Sequence, residues 1–141
     1  MKILIMGLPG VGKTTLAREL APLLNAVVFD ADEIRNHINR DLGFSIEDRI
    51  EQARRMGWLC DQVTRARIHV IASFVCPIPA CRAAFGDCFT IWINRLQEGP
   101  YIDTNDLFVP PVVLDLCLTR GSATDWALLI YDQIVKIKQN H

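Results

Sequence analysis

The sequence has no excess of charge of either sign and no long hydrophobic run. Its 141 residues carry 15 Lys and Arg against 16 Asp and Glu, a formal net charge of −1. A dedicated duplex-DNA-binding protein would carry a basic excess to replace phosphate counterions, so we expect no duplex nucleic acid as a partner. The longest apolar stretch, residues 70–80, is interrupted by Ser73, Pro77 and Pro79 and is too short to span a bilayer. We therefore expect neither a membrane segment nor a secretion signal.

Paired cysteines are also missing. The five cysteines are odd in number, and no two of them stand in the CxxC spacing of a redox pair or a zinc knuckle. Such a pattern is typical of reduced thiols in a cytoplasmic protein. Half of the residues are hydrophobic, which excludes disorder and is enough at this length for one compact domain over residues 1–141.

Short apolar runs alternate with segments of helical periodicity along the chain. Strands are predicted at residues 3–6, 27–29 with Asp30 at the end, 70–74, 89–93 and 112–116. Helices are predicted at residues 13–24, 32–39 with Asp32 as a candidate cap, 45–67 with Ser45 as the cap, 80–85 and 122–138. A long loop is predicted at residues 95–111. This alternation predicts an α/β fold in three layers, with a five-stranded parallel sheet flanked by helices.

The most specific local motif lies at the first strand-to-helix turn, where GLPGVGKT matches GxxxxGK[ST] at every fixed position. Glycines there let successive backbone N–H groups turn toward a phosphate at a helix N-terminus. Lys13 would reach the β- and γ-phosphates, and the Thr14 hydroxyl would ligate Mg²⁺. The motif therefore predicts a P-loop NTPase fold that binds ATP and Mg²⁺. The predicted nucleotide-binding residues are Gly7, Leu8, Pro9, Gly10, Val11, Gly12, Lys13, Thr14 and Thr15.

A carboxylate, Asp30, ends the second predicted strand. In a doubly wound sheet the carboxyl ends of the strands face the ligand crevice, where a carboxylate can take a hydroxyl proton or hold Mg²⁺. No other predicted strand ends in the Asp of a typical Walker B sequence, so Asp30 is the predicted second metal ligand beside Thr14 and, with Lys13, a catalytic residue. Arg35, one turn after Asp32, can grip an anionic substrate.

At this point the sequence resembles the adenylylsulfate (APS) kinase family, over residues 2–85. Residues 30–35 look like its DGDxxR element, and residues 39–57 closely match its NRDLGFS, (E)DR and ENxRRxG run. The resemblance implies phosphoryl transfer from MgATP to the ribose 3′-hydroxyl of APS, giving 3′-phosphoadenylylsulfate. It also implies that Phe44 and Phe108 stack on the two faces of the APS adenine. The substrate-binding residues that the resemblance implies are Asp32, Arg35, Phe44, Arg49, Gln52, Val75, Cys76 and Phe108.

The sequence departs from the family pattern at three places. Gln52 replaces the Asn of ENxRR, and Cys76 replaces a serine whose role is therefore not carried over. After the fourth predicted strand, the family's basic lid with its RDxKGLY element has no counterpart, and Arg95 is the best remaining source of its charge. Because a lid excludes water and brings cations onto the transferring group, we expect weaker catalysis or a different acceptor.

Two other functions stay open at this point. One is a kinase for another small metabolite or a nucleic-acid end, and the other is a nucleotide-binding protein with little turnover. For at least one of Arg49, Arg54 and Arg55, the alternative to substrate binding is a position on a solvent-exposed helix face. Arg120 follows the fifth predicted strand, near where kinases of this fold cover the donor adenine. Members of the family are commonly dimers, so the resemblance leaves a homodimer open.

Overall fold

The computed structural model describes residues 1–95 and 102–140. The strands are β1 (Lys2–Met6), β2 (Val27–Asp30), β3 (Val70–Ser73), β4 (Phe89–Ile93) and β5 (Leu116–Leu118). The helices are α1 (Lys13–Leu24), α2 (Ala31–His37), α3 (Ile46–Arg65), α4 (Pro79–Phe85), α5 (Ile102–Leu107) and α6 (Ala123–Gln139). Within the described part of the chain, no helix is both long enough and apolar enough to cross a membrane.

The five strands form one parallel sheet in the order β2-β3-β1-β4-β5. Every residue of β1 and β3 is buried, as the continuous apolar runs predict for strands covered on both faces. Leu16 and Leu20 of α1 pack with Trp126 and Ile130 of α6 on one face. Met56 of α3 packs with Phe85 of α4 on the other. The predicted three-layer α/β architecture with a five-stranded parallel sheet is confirmed.

The strand order places the candidate ligand site. From β1 the chain passes first to the β2 and β3 side of the sheet and later returns to β4 on the opposite side. Such a reversal opens a crevice beyond the carboxyl ends of the strands. The turn after β1, the end of β2 and the end of β3 therefore share one edge of the sheet.

The fifth strand begins later than predicted, at Leu116 instead of residue 112. Val112 and Val113 follow two prolines and are 95% and 88% exposed. The Asp115 side chain accepts a hydrogen bond from the backbone N–H of Thr90, and its own N–H donates to the Thr90 carbonyl. This contact ties the chain to β4 just before the ladder begins, so the apolar pair at 112–113 lies outside the sheet.

Other boundaries also differ from the prediction, and α2 and α3 end at His37 and Arg65, each two residues before its predicted end. The predicted loop over residues 95–111 is wrong in part, because Ile102–Leu107 form α5, while residues 96–101 lie outside the described residues. The N-cap of α2 is Asp30, one residue before the helix, and Asp32 lies inside the first turn. β3 ends at Ser73, one residue early. The N-cap of α3 is Ser45, as predicted, and its hydroxyl accepts from the Asp48 N–H.

Candidate active site

The phosphate loop joins β1 to α1. Gly12, the N-cap of α1, has φ 103°, a left-handed conformation that side-chain-bearing residues rarely adopt. Gly7 has no room for a side chain, since a Cβ there would lie 2.7 Å from the Ile93 carbonyl oxygen. Leu8 and Val11 are buried in the core beneath the loop. The loop thus anchors itself through two apolar side chains and leaves its backbone N–H groups for a ligand.

Lys13 is the cation of this loop. Its Nζ donates a hydrogen bond to the Leu8 carbonyl at 2.9 Å, so the side chain folds back over the loop that it follows. Burial lowers the pKa of Lys13 to about 8, partly offset by the carboxylates of Asp32 and Asp30. The ammonium is therefore poorly solvated and close to titration at physiological pH. An anion bound in the loop would stabilise its charged form.

Asp30 connects the phosphate loop to the end of β2. Its Oδ2 accepts a hydrogen bond from the Thr14 hydroxyl at 2.8 Å, and its Oδ1 accepts from the Asp32 N–H at 2.8 Å. The residue therefore caps α2 and touches α1 at the same time. A hydroxyl that donates to a carboxylate keeps its lone pairs for a cation, so the pair offers the hard oxygen ligands that Mg²⁺ prefers. Among the described residues, no group of three or more His, Cys, Asp or Glu side chains is arranged so that it could hold a metal ion by itself.

An exposed aromatic ring, Phe44, lines the same cavity as the phosphate loop and lies near two guanidinium groups. The Cζ atoms of Arg35 and Arg49 lie 4.4 Å and 5.5 Å from its ring centroid. Arg35 also donates to the Gly43 carbonyl at 2.7 Å, and Arg49 donates to the Phe44 carbonyl at 2.9 Å. Burial and the neighbouring charge of Arg49 lower the pKa of Arg35. Two partly desolvated cations beside an exposed ring form a surface suited to an anion that carries a planar group.

Gln52 on α3 forms hydrogen bonds to α2 and to the loop between α2 and α3. It is buried, its Oε1 accepts from Asn39 at 2.7 Å, and its Nε2 contacts the Ala31 carbonyl at 3.3 Å. Asn39 in turn accepts from Arg55, which also pairs with Asp41 at 2.8 Å. The amide that replaces the family's Asn thus joins α2, α3 and the loop between them. By contrast, Arg54 is exposed, and within the part of the chain that the structure describes its ion pair is with Glu51 of its own helix. This is the arrangement that the alternative of a solvent-exposed helix face predicts.

Val75 and Cys76 follow β3 and form the floor of the site. Cys76 is buried, and burial raises the pKa of its thiol well above the usual value, so the group stays protonated at neutral pH. Its φ of 48° is a left-handed conformation in a residue other than glycine. Together these features indicate that Cys76 contributes backbone shape rather than a nucleophile.

These parts line one cavity of about 920 Å³. The structure brings together most of the predicted site residues there, namely Pro9, Gly10, Gly12, Lys13, Thr14, Thr15, Asp30, Asp32, Arg35, Phe44, Arg49, Gln52, Val75 and Cys76. It also adds four residues that the sequence did not single out, namely Ala31, Ser73, Phe74 and Pro77. The signal available for these was their position just after β2 and β3, at the carboxyl edge of the sheet.

Of the predicted site residues, Gly7, Leu8, Val11 and Phe108 do not line this cavity, and neither does Arg95. The Phe108 ring stacks on Trp92 with ring centroids 6.3 Å apart, and the Arg82 guanidinium lies 5.6 Å from the centroid of the Phe108 ring. The ring therefore packs against other side chains of the protein. Arg95 lies with its guanidinium 4.7 Å from the Trp126 ring and donates to the Gly121 carbonyl. The backbone of Arg120 accepts from the Trp126 indole N–H at 2.7 Å. Arg95 therefore contacts the start of α6, beyond the end of β5.

A parallel sheet in this order, with a phosphate loop after β1 and a Thr14–Asp30 pair beside it, defines the P-loop NTPase fold class. Within that class, the sequence profile of the adenylylsulphate kinase family matches residues 1–94. The chain belongs to this family.

Named relatives agree with this assignment. An adenylyl-sulfate kinase from a Synechococcus strain is 41% identical over 99 residues, which cover 67% of this chain and 56% of that protein. One from Myxococcus xanthus is 33% identical over 120 residues, which cover 82% of this chain and 60% of the relative. The chain thus spans little more than half the length of these curated relatives.

Solved structures agree on the fold. The APS kinase of Mycobacterium tuberculosis, in complex with AMPPNP and APS, superposes with a TM-score of 0.78 at 22% identity. The superposition covers 94% of this chain and 96% of that one. At 22% identity, this similarity shows that the two chains share a fold.

Proposed function

We propose that the chain is an ATP-dependent kinase that phosphorylates the 3′-hydroxyl of adenylyl sulfate, giving ADP and 3′-phosphoadenylyl sulfate. One observation carries the proposal: a phosphate loop and an exposed Phe44 flanked by two arginines line the same cavity of about 920 Å³. Membership of the adenylylsulphate kinase family supports the choice of acceptor.

The donor half of the proposed site is the loop with Lys13, Thr14 and Asp30. Backbone N–H groups of the loop bind the phosphates, and the Lys13 ammonium leaves the Leu8 carbonyl to meet the β- and γ-phosphates. Mg²⁺, when bound with ATP, neutralises charge on the transferring phosphoryl group. The Thr14 hydroxyl and the Asp30 carboxylate, already 2.8 Å apart, are the residues that would hold it, directly or through water.

The acceptor half is the surface formed by Phe44, Arg35 and Arg49. Adenylyl sulfate carries a phosphate–sulfate anhydride and an adenine, so it needs guanidinium partners and an aromatic platform. Arg35 and Arg49 each use part of their donor set on a loop carbonyl and keep further N–H groups for the anhydride. Phe44, which is 67% exposed, offers its ring to the adenine.

Transfer needs the 3′-hydroxyl in line with the γ-phosphate and a group that takes its proton. The acceptor oxygen forms a bond to the γ-phosphorus while the bond from phosphorus to the β–γ bridging oxygen breaks, and ADP leaves. Asp30 lines the cavity that would hold both substrates, and in this proposal its carboxylate accepts the hydroxyl proton. Holding both reactants in one cavity supplies most of the advantage over solution, because little covalent chemistry falls to the protein.

Turnover with defined substrates tests the proposal. The purified protein is incubated with MgATP and adenylyl sulfate, and ADP and 3′-phosphoadenylyl sulfate are separated by ion-exchange chromatography. We expect both products in equal amounts and none from the Lys13→Ala variant. Arg49→Met should raise the KM for adenylyl sulfate at least tenfold. The matched variant Arg54→Met, on the same helix but outside the cavity, should leave it unchanged.

Other outcomes would exclude the proposal. Consumption of a different hydroxylated acceptor in its place would make the chain a kinase for that metabolite. Tight ATP binding with no turnover on any acceptor would leave a nucleotide-binding protein. Activity that survives Lys13→Ala would show that the phosphate loop is wrongly assigned.

A further inference from the structure

Arg82, on α4 and outside the cavity, joins two segments that are distant in sequence. Its Nε donates to the Cys76 carbonyl at 3.1 Å, and its NH2 group donates to the Pro77 carbonyl at 3.2 Å. The same NH2 group also donates to the Val109 carbonyl. One guanidinium therefore gathers carbonyl oxygens from the loop after β3 and from the segment after α5.

The two segments also contact each other directly. The Val109 N–H donates to the Pro77 carbonyl at 2.7 Å. The Phe108 ring contacts both the Arg82 guanidinium and the indole of Trp92 on β4. We call this set of contacts, made by Arg82, Pro77, Phe108 and Val109, the Arg82 clamp. It fastens the segment after α5 to the loop after β3.

The charge of Arg82 has no carboxylate partner among the described side chains. A half-buried arginine without an ion pair contributes through its planar fork of donors, which a lysine cannot reproduce. Cys76, whose carbonyl it holds, has the left-handed φ of 48°. Such a conformation persists only where the surroundings fix it.

The clamped loop is also part of the candidate active site. Val75, Cys76 and Pro77 line the cavity next to Phe44 and Arg49, whereas Arg82 itself does not. We propose that Arg82 is a positioning residue for the acceptor: it holds the Cys76–Pro77 backbone in the shape that receives adenylyl sulfate. This inference rests on the proposed function and goes beyond it, because Arg82 acts on the acceptor without touching it.

Steady-state kinetics on three variants test the proposal. In Arg82→Met we expect the KM for adenylyl sulfate to rise about tenfold or more, because the floor loses its fixed backbone, while the KM for ATP stays within about twofold. Arg82→Lys keeps the charge but has one donor nitrogen in place of the two that Arg82 uses here, so its KM should fall between those of the wild type and Arg82→Met. Arg54→Met is the matched control for loss of an arginine from a helix surface. An equal rise in both KM values, or no rise in either, would overturn the proposal.

Amide hydrogen exchange gives a readout that does not depend on turnover. Loss of the clamp should speed exchange of the Val109 N–H in Arg82→Met and leave that of Ile71, in the middle of β3, unchanged. Unchanged exchange at Val109 would contradict the clamp. If the wild type forms no 3′-phosphoadenylyl sulfate, the proposed function fails alone, and the exchange experiment still decides whether Arg82 fixes this loop.

Discussion

At the scale of single residues, the state of Lys13 decides how the phosphate loop responds to pH. Burial lowers its pKa to about 8, so the free protein holds a partly neutral lysine just above neutral pH. In the proposed function, a bound triphosphate would restore the charge, since it would place phosphate oxygens near an ammonium that now donates to the Leu8 carbonyl. The proposal therefore predicts that nucleotide binding and protonation of Lys13 are linked.

We expect ATP binding to weaken as the pH rises through 8, by up to about tenfold between pH 7 and pH 9. Above pH 8, Lys13 is mostly neutral in the free protein because its pKa is lowered to about 8. The free protein must then take up a proton to bind ATP with Lys13 charged, so ATP binding weakens as the pH rises. Calorimetry at pH 8.5 in two buffers of different ionisation enthalpy measures that uptake. Lys13→Arg stays charged throughout and should show none; equal wild-type dissociation constants at pH 7 and pH 9 would refute the linkage.

Individual site residues were predictable where their role is local in sequence. Lys13, Thr14 and Asp30 belong to short motifs, and the structure brings Thr14 and Asp30 within hydrogen-bond distance. Phe108 was not predictable in the same way. Its neighbours, Trp92 and Arg82, come from β4 and α4, and no local pattern shows that the ring packs there instead of lining the cavity.

At the scale of elements, the contact between α3 and α4 sets where Arg49 lies. Gly57 on α3 packs directly against the backbone of Phe85, the last residue of α4. A Cβ at Gly57 would lie 2.2 Å from the Phe85 carbonyl oxygen. α3 also carries Arg49 and Gln52, so any displacement of this helix reaches the cavity.

Gly57→Ala should therefore destabilise the protein by about 3 kcal/mol, at the upper end of overpacking effects, because the obstacle is backbone. The KM for adenylyl sulfate should rise as α3 moves outward. Urea unfolding measures the first effect and steady-state kinetics the second. Arg54→Ala, three residues earlier and exposed, should change stability by less than about 0.5 kcal/mol. A Gly57→Ala protein as stable as the wild type would contradict this packing.

Elements with strong periodicity or a clear cap were predicted well, and those fixed by distant contacts were not. α1 was predicted at its observed bounds, and α3 begins at the predicted cap, Ser45. β5 was misplaced because the apolar pair Val112 and Val113 looks like strand sequence. Its start depends on the contact of Asp115 with Thr90, a residue of another strand. Prolines and asparagine around α5 likewise favoured a loop.

At the scale of the whole molecule, a net charge of −1 conceals a strongly polarised site. Lys13, Arg35 and Arg49 line the cavity, while Arg54 and Arg55 are neutralised by Glu51 and Asp41 outside it. The overall composition predicts that the protein does not bind duplex nucleic acid, yet it does not reveal this local concentration of charge. Only the fold brings together cations from α1, α2 and α3.

This arrangement predicts that the two substrates stabilise the protein through different cations. A ligand at about 100 times its dissociation constant adds about 2.7 kcal/mol of stability, which raises Tm by several degrees. Lys13→Met should lose the rise caused by MgATP and keep the rise caused by adenylyl sulfate, because only the donor half is damaged. Arg49→Met should show the reverse. Thermal unfolding of each variant, with each ligand alone, measures both.

Arg54→Met, which leaves both halves intact, should respond to both ligands as the wild type does. The contrary result is also specific. If Lys13→Met lost both responses while its own Tm stayed unchanged, the donor and acceptor would share one binding surface. The division of the cavity into a phosphate-loop half and an aromatic–guanidinium half would then be wrong.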